Sequence, residues 1–269
     1  LKKLDDVFYL AGGHKFEGRY NPMNGPSFTQ TYTEKISRFI PTLSESGIQV
    51  EWLTEFNDPA LLHRRDLNVG PIIMENGEFG LKAYSGVFQK TRNLPFRETI
   101  TITQDTNDIN TSYEQVMSHY NCAMIPIFDT LTKKMYTTFL GGMSLYNYMP
   151  TTNEFIYDSL IPFISDITTM TTHPGGAMDE TVMSTQLPGL LGSNAKFILN
   201  TGINHFSNEV IDIDAVNIND TDVWLYRLDK NNREAEYWQP ISSFKGNNTV
   251  YNSLEKNIKN IWMRFFNFI

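Results

Sequence analysis

Five histidines, a single cysteine and several turn-rich segments dense in Arg, Tyr and Asn are the residues of this 269-residue chain that could do chemistry. His14, His63, His119, His173 and His205 are scattered along the chain. Metal ligation through them would need a convergence in space that their spacing does not announce, so no metal site is expected. Cys122 stands in "HYNCAMIPIF". One thiol can form neither an internal disulfide framework nor a thiolate zinc cluster, and it leaves the compartment open. Its apolar neighbours make it a small buried hydrophobe. The signatures HExxH, GxSxG, GxGxxG and the P-loop are absent. A glycosidase needs two carboxylates at a defined separation, and among 30 acidic residues Glu55, Asp66 and Asp129 are candidates for such a pair.

The polar segments are the better lead. "LAGGHKFEGRYNPMNGPSF" (10–28) closes an apolar run on a double glycine and continues as a long loop. "LLHRRD", "SHYN" and "MSLYNYMPTTNEF" have a similar composition. They supply the candidate ligand-contacting residues: His14, Arg19, Tyr20 and Asn21 from the first, Arg64, Arg65 and Asp66 from the second, His119 and Tyr120 from the third, and Tyr146 from the fourth. Tyrosine rings that stack, beside Arg, Asn and Asp that hydrogen-bond, suit a glycan or an extended peptide. The competing role is structural, because Arg–Asp pairs of this kind also tie neighbouring units of a scaffold together.

The elements that must position these loops repeat. "DLNVGPIIMENGEFGLKAYSGVFQ" (66–89) can be laid over "NCAMIPIFDTLTKKMYTTFLGGMS" (121–144) at an offset of about 55 residues. In each, a polar lead-in meets an apolar strand carrying a proline, a turn follows, and a second strand ends in Ser85-Gly86 or Gly141-Gly142. "DDVFYLAGG" (5–13) repeats the second half. "AKFILN" (195–200) reads as a further first strand, with "DTDVWLYRLD" (220–229) as its partner. The intervening extended runs, bounded by Pro, Gly, Asn and Asp, complete all-β blades of up to four strands. Blade one lacks its first strand and has strands at 7–12, 31–39 and 48–56. Blade two has strands at 67–74, 79–88, 97–104 and near 111–117. Blade three has strands at 121–128, 134–141, about 161–170 and 179–186. Blade four begins at 194–200. A β-sandwich of irregular hairpins is the alternative architecture. In "YNSLEKNIKNIWMRFFNFI" the spacing of Leu254, Ile258, Ile261, Phe265 and Phe268 predicts a helical tail at 251–269.

Strands ending "FYLAGG" and "TTFLGG", with "DVWLYRLD" downstream, resemble the kelch repeat of β-propellers. More closely, "LAGGHKFEGRYNPMNGPSFTQTYT", "LLHRRDLNVGPIIMENGEFGLKAYSGVF" and "LPGLLGSNAKFI" are similar to a family of secreted proteins of Bacteroidetes whose members often carry a C-terminal sorting domain for type IX secretion. The resemblance covers roughly residues 5–215. Beyond about 225 the sequence departs from it, with no Gly-Gly near "WLYRLD" and no sorting domain following. The resemblance implies a kelch-type β-propeller, partial as given, over residues 1–250 with an incomplete N-terminal blade. It also implies export or display at a bacterial surface, and it carries no activity with it. Galactose oxidase, a kelch-type enzyme, needs a cysteine-modified tyrosine and two histidines, and Cys122 does not suit that role. The Ser-x-Asp-x-Gly turns of sialidase-type propellers are absent.

In an up-and-down blade the fourth-to-first and second-to-third connections leave the same face, so all four polar segments are expected on one face. The function this predicts is a non-catalytic, secreted or cell-surface binding module for a glycan or a peptide, with no cofactor. The alternative is a carbohydrate-active hydrolase or oxidase using the same face. A net charge of −8 argues against a nucleic-acid partner. No stretch approaches the roughly 18 apolar residues of a membrane span. An open array of blades also exposes a sheet edge, so the isolated chain is expected to associate.

Overall fold

The computed structural model describes residues 1–19, 27–199 and 202–216, together with the backbone of two later strands, Trp224–Arg227 and Tyr237–Pro240. The fold is all-β, and the larger sheets follow one another along the chain. The first sheet lines up Lys2–Leu4, Val7–Ala11, Lys35–Ser44 and Gly47–Trp52, with Phe56–Asn57 added beside Lys35–Ser44. The second lines up Asn68–Ile73, Phe79–Tyr84, Thr99–Ile102 and Asn107–Asn110. The third lines up Ala123–Asp129, Lys134–Met143, Phe163–Thr172 and Met178–Val182, and Ile211–Asp212 pairs parallel to its first strand. The fourth is Lys196–Ile198, Trp224–Arg227 and Tyr237–Pro240. Apart from the two added strands, Phe56–Asn57 and Ile211–Asp212, strand order within these sheets is the chain order, as successive antiparallel pairings require.

Pro71 and Pro126 lie in the first strands of the second and third sheets. Asn68–Ile73 is an edge strand, and Ala123–Asp129 is paired on its outer side only at Ile127 and Phe128, so a residue without an N–H is tolerated at both prolines. These first strands face a common space: Lys2, Asn68–Pro71, Ala123, Met124, Pro126 and Lys196–Leu199 line one cavity of about 910 Å³. Met124 packs against Gly70 of the neighbouring first strand.

The cores lie between successive sheets. Leu4, Tyr9 and Ile36 of the first sheet pack with Leu81, Ala83, Ile100 and Ile102 of the second. Tyr84 of the second packs with Phe139 and Met170 of the third and with Cys122 just ahead of it. On the far face of the third sheet, Ile125, Ile127, Leu140 and Ile167, with Ile211 of the added parallel strand, pack with Leu187, Ala195, Ile203 and Ile213.

Three details correct the sequence reading. The first sheet does have a first strand, Lys2–Leu4, paired with Val7–Tyr9. It holds only three residues, two of them lysines, and so carries no apolar pattern to read. The run at 31–39 is two elements: Glu34 sits at φ 53°, which breaks the extended backbone between Phe28–Tyr32 and Lys35–Ser44. The fourth strand of the second sheet is Asn107–Asn110 rather than 111–117. The latter stretch is a crossing loop, gripped by the Glu180 carboxylate, which accepts from the backbone N–H of Val116 (2.7 Å) and Met117 (3.1 Å). The pairing expected for "AKFILN" is present, with Phe197 opposite Leu225. The expected helical tail lies outside the described residues.

Candidate functional site

The site begins with how the chain leaves each second strand. At this point the backbone takes two consecutive left-handed steps, three times over: Gly12-Gly13 (φ 60° and 94°), Ser85-Gly86 (49° and 92°) and Gly141-Gly142 (61° and 91°). Glycine adopts this conformation without strain. It is also required by space. A Cβ on Gly12 would lie 2.5 Å from the Arg64 carbonyl oxygen, and one on Gly142 would lie 2.7 Å from that of Tyr120.

Each double step launches a short hairpin. His14–Gly18 pairs with Phe28–Tyr32, Val87–Gln89 with Arg92–Pro95, and Tyr146–Met149 with Glu154–Tyr157. Second strands end beside the starts of first strands, as the pairings Asn68↔Tyr84 and Ala123↔Leu140 show. The hairpins therefore emerge at the same end of the sheets as the lead-in loops. The described ends of "HKFEGRYNPMNGPSF" are thus paired strand, His14–Gly18 against the strand that Phe28 opens, rather than the loop its glycines and prolines suggest.

Two of the hairpins carry rows of aromatic side chains, because residues alternating along a strand share a face. On the first, Phe16 stacks on Phe28 with centroids 5.0 Å apart, and His14 lies 5.7 Å from Tyr32. Tyr32 then stacks on His63 of a lead-in loop at 4.0 Å. On the third, Tyr146 meets Tyr157 at 5.6 Å and Tyr148 meets Phe155 at 5.3 Å. Arg97 lies over Tyr146 at 5.7 Å. The middle hairpin offers Phe88, with the Arg65 guanidinium 4.4 Å above its ring.

The lead-in loops meet one another through main-chain atoms. Asp66, Asn121 and Asn194 all take left-handed backbone (φ 57°, 56° and 60°) just ahead of the first strands. The N–H of Asn121 donates to the Asp66 carbonyl at 3.0 Å, and the N–H of Asn194 donates to the Asn121 carbonyl at 2.9 Å. The Asn121 side chain also donates to the Asn194 side-chain oxygen at 2.9 Å.

The structure sorts the residues expected at this face into different roles. His14 is half-buried, with a pKa lowered first by burial and then by Arg65. Arg65 is partly exposed, and its Nε lies 3.5 Å from an Asp66 carboxylate that faces solvent. Tyr146 is half-buried and Tyr120 is buried, the latter with a phenol pushed up to about 12, chiefly by burial and then by Asp66. Arg19 is exposed on the first hairpin side. Tyr20 and Asn21 lie outside the described residues. Arg64 and His119, by contrast, are fully buried and are not surface contacts. Arg64 stacks over Phe96 at 4.0 Å and donates to the carbonyls of Leu61 (2.5 Å), Ser85 (2.8 Å) and Glu98 (3.3 Å). His119 stacks on Phe139 with its Nδ1 2.6 Å from the Gly141 carbonyl, and burial lowers its pKa to about 4.

The three carboxylates considered for hydrolysis are not brought together. Asp66 precedes a first strand, Asp129 ends one and caps the following turn through Leu131 and Thr132, and Glu55 is bonded to Lys35 and Ser37. Among the described residues no group of three or more His, Cys, Asp or Glu is placed to hold a metal. The residues that sequence reasoning missed are Phe16, Phe28, Tyr32, His63, Phe88 and Arg97. The alternation of "HKF" and "FTQTY" signalled the first row once both stretches were taken as strands. No protein-family model matches the chain, and no curated protein matches it either.

Proposed function

We propose that this chain is a non-catalytic binding module built as a kelch-like propeller, and that its hairpin-bearing end takes a glycan chain or an extended peptide. The observation that carries the reading is the pair of aromatic rows on hairpins launched from equivalent positions, with Arg65 and Arg97 beside them. Aromatic faces stack on sugar rings or peptide planes, and neighbouring Arg, Asn and Asp groups supply directional hydrogen bonds. The propeller reading is supported by sheets that repeat the same chain order, by first strands lining one cavity, and by the thrice-repeated double step. Export or surface display rests on the resemblance of residues 5–215 to secreted Bacteroidetes proteins.

A glycan array and a peptide library probed with the wild type, Tyr32→Ala and Arg65→Ala test the reading. A binder is expected whose affinity falls at least tenfold in both variants, while their melting temperatures stay near that of the wild type. A binder unaffected by either change would place the ligand elsewhere.

A further inference from the structure

Three buried polar atoms gather around the second double step without a hydrogen-bond partner: Arg64 Nη2, Ser85 Oγ and Gln115 Nε2. All three residues are 0% exposed. Arg64 Nη1 donates to the Ser85 carbonyl at 2.8 Å, and the Ser85 N–H donates to Gln115 Oε1 at 3.1 Å. Nη2 shares its carbon with Nη1, and Nε2 shares its carbon with Oε1, so the unpartnered atoms are close neighbours about one residue, Ser85.

Their chemistry is of one kind. The guanidinium and amide nitrogens can only donate, and the serine hydroxyl can donate too. Arg64 Nε and Nη1 serve the carbonyls of Leu61, Ser85 and Glu98, which leaves both N–H groups of Nη2 unused. The positive charge is unmatched as well. Arg65 has Asp66 at 3.5 Å and Arg97 has Glu114 at 2.7 Å, but among the described residues no carboxylate oxygen lies within 4.0 Å of Arg64. A buried charge of this kind is costly unless a counter-charge accompanies it. Burial lowers the Arg64 pKa to about 9, which still leaves it charged at neutral pH.

Ser85 adds an independent sign. The first and third double steps begin with Gly12 and Gly141, whereas the second places a serine at φ 49°. Glycine takes that backbone without strain and serine does not. The side chain is kept at that cost, yet its hydroxyl binds nothing in the chain.

We infer that Arg64, Ser85 and Gln115 form a buried site for one chloride ion, which accepts from Arg64 Nη2, Gln115 Nε2 and the Ser85 hydroxyl. A water would bring two hydrogens of its own among donors, whereas a small anion accepts from all three and neutralises the guanidinium. One cation calls for a monovalent ion, and donors arriving from three side chains suit a spherical one. The ion ties the lead-in loop of Arg64 and the crossing loop of Gln115 to the start of the second hairpin.

Crystals grown with bromide in place of chloride, and thermal melts over a chloride series balanced with gluconate at constant ionic strength, test the inference on the wild type, Ser85→Ala and Gln115→Glu. An anomalous bromide peak is expected in contact with Arg64 Nη2 in the wild type. Its melting temperature is expected to rise by roughly 3 °C or more as chloride fills the site. Ser85→Ala keeps the left-handed backbone but loses a donor, and should need at least threefold more chloride for the same rise. In Gln115→Glu one carboxylate oxygen still accepts the Ser85 N–H while the other replaces the ion beside Arg64. That variant is expected to show no bromide peak and a melting temperature indifferent to chloride. Water rather than bromide at Arg64 Nη2 would overturn the site, as would a wild-type melting temperature unmoved by chloride. A chloride response as large in Gln115→Glu as in the wild type would overturn it equally.

Discussion

Adjacent residues of the same type have opposite fates here, and Arg64 and Arg65 are the clearest pair. Arg64 is the largest fully buried side chain among the described residues, holding three backbone carbonyls, whereas Arg65 reaches the surface over Phe88. Arg64→Ala is expected to lower stability in urea by on the order of 3 kcal/mol, since buried carbonyls lose their donors. Arg64→Lys should not restore it, because a point ammonium cannot reproduce the planar fork. Glu180 gives a pH signature. Burial raises its carboxyl to about 7, despite the two backbone N–H groups that favour its ionised form. The unfolded chain releases that proton near its ordinary value of 4.5. Over the intervening range the native state binds the extra proton, so stability falls as pH rises from about 4.5 to about 7 and is level above. Urea melts across that range should show the decline in the wild type and a shallower profile in Glu180→Gln. "LLHRRD" announced a polar cluster but could not say which arginine turns inward, because that depends on Phe96 and on the carbonyls of Ser85 and Glu98, all remote in sequence.

At the level of elements, the turns were more legible than the strands. The double glycines were visible because their cause is local: positive φ and an approaching carbonyl exclude a side chain whatever the rest of the fold does. Gly12→Ala and Gly142→Ala are each expected to destabilise the protein by on the order of 1–3 kcal/mol, from left-handed strain with added crowding. Gly13→Ala, also at positive φ but with nothing near its Cβ position, should be milder. Equilibrium unfolding of the three variants gives the ranking. Lys2–Leu4 was illegible because three residues with two lysines form a strand only when Val7–Ala11 is there to pair with them. The first hairpin was misread for the opposite reason: its central glycines and prolines outweighed the short alternating stretches on either side.

Across the whole molecule, the order of the sheets could be read from the repeat of apolar strands, prolines and glycines, and the structure keeps that order in its cores. Up-and-down topology led to the expectation that the polar segments leave one face, and antiparallel pairing brings second-strand ends to first-strand starts. What the repeat could not convey is that these segments pair as hairpins bearing aromatic rows.

The double step beneath each hairpin has a further consequence for how such a protein can be altered. Both its chain direction and its hydrogen bonds are fixed by main-chain atoms; in the third sheet, Tyr120 and Met143 exchange N–H and carbonyl groups at 3.1 and 3.3 Å. Whatever the hairpin carries is then a detachable cassette on a standard socket. Residues 147–156 should be replaceable by a two-residue Asn-Gly turn with the melting temperature shifted by only a few degrees, since few buried side chains lie in that span. Specificity could accordingly be swapped between sockets, by recombination or in the laboratory, while the sheets below keep their packing.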